Sequence, residues 1–131
     1  MHSQSVKFEY DSINNILFAE DDYQINTEQD ADDFLSLYEK KMKDIGKKVY
    51  VVAHIDNINV TAPVYQYYGN KVKAFAERWV LGLARWGTDS LSRLTIRASS
   101  VRAKYDINIF NTREEAVKAI EIMREKKDDV G

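Results

Sequence analysis

Residues 47 to 55, KKVYVVAHI, constrain the fold more than any other part of this chain. The run is too short for an ordinary helix or a bilayer span, and it is rich in β-branched and aromatic side chains. It therefore reads as a strand buried at the centre of a sheet. Helical spacing flanks it on both sides. Upstream, Ala31, Phe34, Leu35, Tyr38, Met42 and Ile45 recur on one helical face, and Gly46 supplies the C-terminal stop. Downstream, Pro63 can open a helix running to about Trp86, since a missing N–H costs nothing in a first turn. A strand entered and left through helices needs crossover connections, which places the chain in the α/β class with a mixed sheet.

The other elements arrange themselves around this strand. Val6, Phe8 and Tyr10 alternate with Lys7 and Glu9 in the period of a half-buried strand. DSINN is a turn, and ILFAE then completes a hairpin. An acidic stretch leads into the first helix. SRLTIRA, residues 92 to 98, alternates Arg93, Thr95 and Arg97 with apolar neighbours and predicts a fourth strand. DINIF predicts a fifth, and NTREEAVKAIEIMREKK a closing helix whose Thr112 and Glu115 form a capping box. The expected order is ββαβαββα in one domain spanning residues 1–131, with mobile tails at 1–4 and 126–131. One-sided alternation implies helices mainly on one face of about five strands, with the other face left to water or a partner.

Charge is unevenly distributed. Residues 1–70 hold twelve acids and six bases, whereas residues 71–104 hold eight bases and two acids. Such separation can orient a partner or a second copy of the chain. The absence of cysteine removes disulfides, thiolate catalysis and cysteine-based metal sites. With no signal-peptide pattern and no membrane-length apolar run, a cytoplasmic protein is expected.

No constellation for catalysis stands out. Ser90 and His54 lack the glycine-flanked elbow of a serine hydrolase, and no phosphate loop or dinucleotide fingerprint implies a cofactor. Glu20, Asp21 and Asp22 lack calcium-loop spacing, so no metal is expected, and their charges suit the positive end of the following helix. On the long second helix, Tyr65, Tyr68, Val72, Phe75, Trp79, Leu83 and Trp86 form an apolar stripe facing the core. Lys71, Arg78 and Arg85 recur every seven residues beside it as a cationic stripe. Tyr50 and His54 share the open sheet face with Arg93 and Arg97 if register is kept. The basic segment contains aromatics, but these serve the core and the whole chain is acidic, so nucleic acid is not expected.

Two segments carry a resemblance, KKVYVVAHIDNINVTAP and LTIRASSVRAKYDINIFNTREEAVKAI. They resemble the STAS fold, and more narrowly the small bacterial STAS-like proteins related to the sporulation anti-sigma-factor antagonist. The resemblance implies a regulatory, non-catalytic domain working through protein–protein interaction. In regulatory members a phosphorylatable Asp-Ser-Ser/Thr-Gly motif opens the helix after the central strand. Here that place reads NVTAPVYQ, where Thr61 alone carries a hydroxyl, and the Asp-Ser of TDSL at residues 88–91 stands elsewhere. Thr61 and Ser90 are the candidate phosphorylation sites. The expected function is recognition of a protein partner, a homodimer mate or a small anionic ligand. Lys71, Arg78 and Arg85 would supply charge, Arg93 and Arg97 forked hydrogen bonds, and Tyr50 and His54 shape and a pH-sensitive contact. The alternative is a small-molecule enzyme or carrier using His54 as general acid–base with Arg93 or Arg97.

Overall fold

A computed structural model describes the backbone of residues 4–130 and the side chains of residues 4–127. The elements are β1 (Ser5–Asp11), β2 (Ile16–Ile25), α1 (Glu28–Ile45), β3 (Val49–Val60), α2 (Tyr65–Trp79), β4 (Val80–Trp86), α3 (Ser90–Ala103), β5 (Ile109–Phe110) and α4 (Arg113–Val130). A short 3₁₀ turn, Ala62–Val64, carries Pro63 ahead of α2. The strands lie in the order β1-β2-β3-β4-β5, with β1 antiparallel to β2 and every later pair parallel. Each crossover moves one strand along in the same direction, so right-handed connections put α1, α2 and α3 on one face. Helix α4 returns alone across the other.

The α/β class and five-stranded mixed sheet agree with the sequence, but the order is ββαβαβαβα. Two elements differ from the expectation. The long second helix stops at Trp79, and VLGLARW continues as β4. A strand buried on both faces is apolar at nearly every position, so helical spacing could be extended through it by chance. Gly82 marked the difference. A Cβ there would lie 2.8 Å from the Met123 sulfur and 3.1 Å from the Tyr50 ring, so glycine lets α4 and β3 close on β4. The expected strand SRLTIRA is instead the middle of α3. Asp89 caps that helix by accepting from the Ser92 N–H, and Ser92, Thr95 and Ser99 recur at helical spacing on its buried side. Because this helix buries hydroxyls rather than an apolar stripe, its sequence shows little helical period in hydropathy.

Smaller differences follow from the same competition. β2 runs five residues beyond ILFAE because Tyr23 and Ile25 continue the alternation, which places Asp21 inside a strand. DINIF contributes only Ile109 and Phe110 to the sheet. Residues 126–130, expected in a tail, continue α4, and Gln4 exchanges hydrogen bonds with the Gln24 main chain. Residues 1–3 and 131 lie outside the described residues.

Two apolar clusters sandwich the sheet. Leu17, Val51, Ile55 and Ile58 meet Phe34, Tyr38, Tyr68 and Ile96 beneath α1–α3. Ile16, Tyr50, Val52 and Ala84 meet Ala116 and Ile120 of α4 on the opposite face. The expected apolar stripe of α2 faces the first cluster through Tyr65, Tyr68, Val72, Phe75 and Trp79. Thr112 and Glu115 form the expected capping box at the start of α4.

Candidate functional site

Because α4 covers the second face only in part, one row of side chains remains open. Strand register sets Lys7, Glu20, His54 and Trp86 side by side across β1, β2, β3 and β4. They line a cleft of about 270 Å³ with Glu9, Phe18 and Arg113. The Arg113 guanidinium stands over the Phe18 ring at 4.1 Å, and the His54 and Trp86 rings stack at 3.9 Å with their planes 8° apart. The cleft thus has an aromatic floor and charges of both signs around its rim.

A bulge shapes the histidine end. Pairing runs from Glu20 with His54 to Asp22 with Asn57, so Ile55 and Asp56 both stand opposite Asp21. The apolar alternation of β3 correspondingly jumps from Ile55 to Ile58. His54 Nε2 lies 2.9 Å from Asp56 Oδ2, while Asp56 Oδ1 accepts the backbone N–H groups of Thr88 and Asp89 at 2.7 and 2.9 Å. Partial burial raises the Asp56 carboxyl, but the bonds from Asp89, His54 and Thr88 outweigh it and hold the group below its ordinary range. Gly87 permits this contact, since a Cβ there would stand 2.4 Å from Asp56 Oδ1. A carboxylate is therefore fixed at the start of α3 and orients the ring of His54.

On the opposite face lies a separate polar group. Asp21 is 6% exposed and accepts the Tyr38 hydroxyl at 2.5 Å. Burial raises its carboxyl to about 7, despite the lowering effects of Tyr38 and the Arg85 charge. Asp21, Tyr38, Tyr68 and Arg85 line a mostly apolar cavity of about 50 Å³. Arg85 donates through Nη2 to Ser100 Oγ, Asp106 O and Ile107 O, while its buried Nε has no partner.

These positions redistribute the residues expected from sequence. Arg85 leaves the cationic stripe altogether: it lies on β4, is 4% exposed, and clamps the α3–β5 connection. Lys71 and Arg78 do line α2, but α1 of the same chain answers them, through Asp32 at 3.8 Å and Glu39 at 3.7 Å. Arg93 and Arg97 belong to α3 rather than a sheet face. Arg93 donates to Gly87 O and Phe110 O, tying the β4–α3 turn to β5, and Arg97 is exposed. Tyr50 shares its face with His54 as expected, yet α4 buries it and Arg124 stacks over its ring at 4.9 Å. Thr61 and Ser90 are both exposed, at the start of the 3₁₀ turn and of α3.

Of the residues expected to bind, only His54 lies in the cleft. Lys7, Glu20 and Phe18 were legible as strand positions but not as neighbours of His54, because a register between distant strands cannot be counted along a chain. No protein-family model and no curated protein matches the sequence. No helix of the described residues is long and apolar enough to cross a membrane.

Proposed function

We propose that this chain is a cytoplasmic, STAS-like binding module whose ligand site is the mixed-charge cleft on the sheet. The carrying observation is the uncovered row Lys7–Glu20–His54–Trp86, with Arg113 and Phe18 beside it. Its volume is near the lower end of small-molecule pockets, roughly 300 Å³. Its chemistry fits a small molecule with a flat apolar body, an anionic group for Lys7 or Arg113 and a donor for Glu20. Protein partners would then respond to occupancy of this site. The short β5 and the Thr112-capped start of α4 support the STAS-like part of the reading.

The test is a titration of isotope-labelled protein with small aromatic carboxylates, amino acids and organic phosphates. Saturable amide shifts at Lys7, Glu20, His54 and Arg113 are expected, and His54→Ala and Lys7→Ala should each weaken them. Shifts that spread without saturation, or that survive both substitutions unchanged, would remove the cleft as the site.

A second reading rests on the contact between His54 Nε2 and Asp56. A histidine oriented by a fixed carboxylate can move a proton on a bound molecule. Recovery of a chemically changed ligand from wild type, and of the unchanged ligand from His54→Gln, would distinguish catalysis from binding.

A further inference from the structure

Helix α3 carries its apolar residues on the outside. Its buried side is made of Ser92, Thr95, Ser99, Ser100 and Ala103 around Ile96, whereas Leu91, Leu94 and Val101 are 56%, 58% and 60% exposed. The small buried residues let α3 press against α2, where Gly69 leaves no room for a Cβ before the Ser99 carbonyl. At about 100° per residue, Leu91, Leu94, Ala98 and Val101 fall within an arc of about 80° on the opposite side. Arg97 borders that arc on one flank and Arg102 on the other. The helix contains no acidic residue. Neither arginine forms an ion pair among the described residues, in contrast to Lys71 and Arg78 on α2.

We infer that this face of α3 docks an amphipathic helix of another protein, one whose apolar stripe is bordered by Asp or Glu. Charge selects this occupant. A second copy using the same face about a two-fold axis would line each flank of the interface with an arginine from either copy and offer no acid to answer them, and like charges at an interface are disfavoured. Half-buried Ala98 places a small residue between Leu94 and Val101, where the ridge of a crossing helix can lie, and the apolar arc is short. The surface is separate from the sheet cleft, and occupancy of one does not presuppose the other.

Three probes test the assignment: a helix-forming peptide with a leucine stripe flanked by glutamates, its lysine-flanked counterpart, and phosphatidylglycerol vesicles. The glutamate peptide should shift the amides of residues 91–102 saturably, in the micromolar to sub-millimolar range of small interfaces. The lysine peptide should bind at least about tenfold more weakly, and the Arg97→Glu/Arg102→Glu double variant should invert that preference. Leu94→Ser, at an exposed position, should abolish binding without moving the melting temperature. His54→Ala should leave peptide binding unchanged, so failure here and failure of the cleft are separable. Equal binding of both peptides, no binding of either, shifts centred away from α3, binding to vesicles alone, or self-association through α3 would each overturn the proposal.

Discussion

Replacing Asp21 with asparagine should stabilise the protein by an amount that grows with pH. Asp21 is buried on the helix-covered face with Tyr38 as its donor, and burial lifts its carboxyl from an ordinary 3.8 to about 7. Between these values the folded protein holds a proton that the unfolded chain has released, so stability falls as pH rises. Below the lower value the carboxyl is protonated in both states and carries no penalty. Above the upper value it is ionised in both, and the penalty is complete. At about 1.4 kcal/mol per pH unit, the full penalty is roughly 4 kcal/mol. The Asp21→Asn side chain keeps an acceptor for Tyr38 and does not ionise. Urea unfolding of both proteins, in steps from about pH 4.5 to about pH 8.5, measures the difference. The variant should lead by between about 1 and 2 kcal/mol near pH 5 and by roughly 4 kcal/mol near pH 8. A constant difference across this range would refute the reasoning, because Asp21 would then not titrate there. A wild type that gains on the variant with pH would refute it differently, by showing that the Asp21 charge is net stabilising beside Arg85.

Asp56 should show the opposite sign. Its carboxyl is held low, so its support for the start of α3 is present above the ordinary carboxylate value and is lost as pH falls through the lower folded one. An acid NMR titration should move the Thr88 and Asp89 amides further in wild type than in Asp56→Ala. Gly87→Ala drives a Cβ against Asp56 Oδ1 at a φ of +156°, and chemical denaturation should report a loss of about 3 kcal/mol. Gly69→Ala meets the Ser99 carbonyl at 2.3 Å, so it should force α2 and α3 apart and lower the melting temperature by roughly 5–10 °C. Arg85→Met leaves Ser100 Oγ, Asp106 O and Ile107 O without their donor, and should cost about 3 kcal/mol, with fastest hydrogen exchange in residues 104–108.

The elements legible in the sequence were those whose signals agreed with one another. Helix α1 has a clean apolar face and a terminal glycine, and Gly46 at a φ of +81° donates to Met42 O as such a stop should. The alternation of β1 put Val6, Phe8 and Tyr10 on the core and Lys7 and Glu9 outside, and β3 put Tyr50, Val52 and His54 on one face. Reading failed where two periods competed. Leu83 and Trp86 continue the α2 stripe at helical spacing, yet they point to opposite faces of β4, one in each apolar cluster. Arg93, Thr95 and Arg97 alternate like a strand, yet Asp89 and the serines that follow it specify a helix that buries hydroxyls. The candidate site is less legible than the fold, because Arg85, Arg93 and Arg97 fall in the two segments where helical and strand periods compete. His54 lies in the cleft, on the strand that the sequence predicts for it. Its companions Lys7, Glu20 and Arg113 come from three different elements, and only the folded register brings them together.

The unbroken strand order β1 to β5 also bears on how the molecule is made. Each strand pairs with its predecessor in the chain, so the sheet can be assembled in the order of synthesis, with α1, α2 and α3 closing their side as they emerge. Every parallel pair nonetheless joins residues far apart in the chain, Ile16 with Tyr50 and Tyr50 with Gly82, and such pairing forms slowly. The other side has no such stepwise closure. Tyr50, Val52 and Ala84 are in place well before α4, which among the described residues is the helix that covers them, has been translated. The nascent protein therefore passes through a stage with one finished face and one bare apolar face, and α4 determines how long that face remains available to chaperones or to other nascent chains.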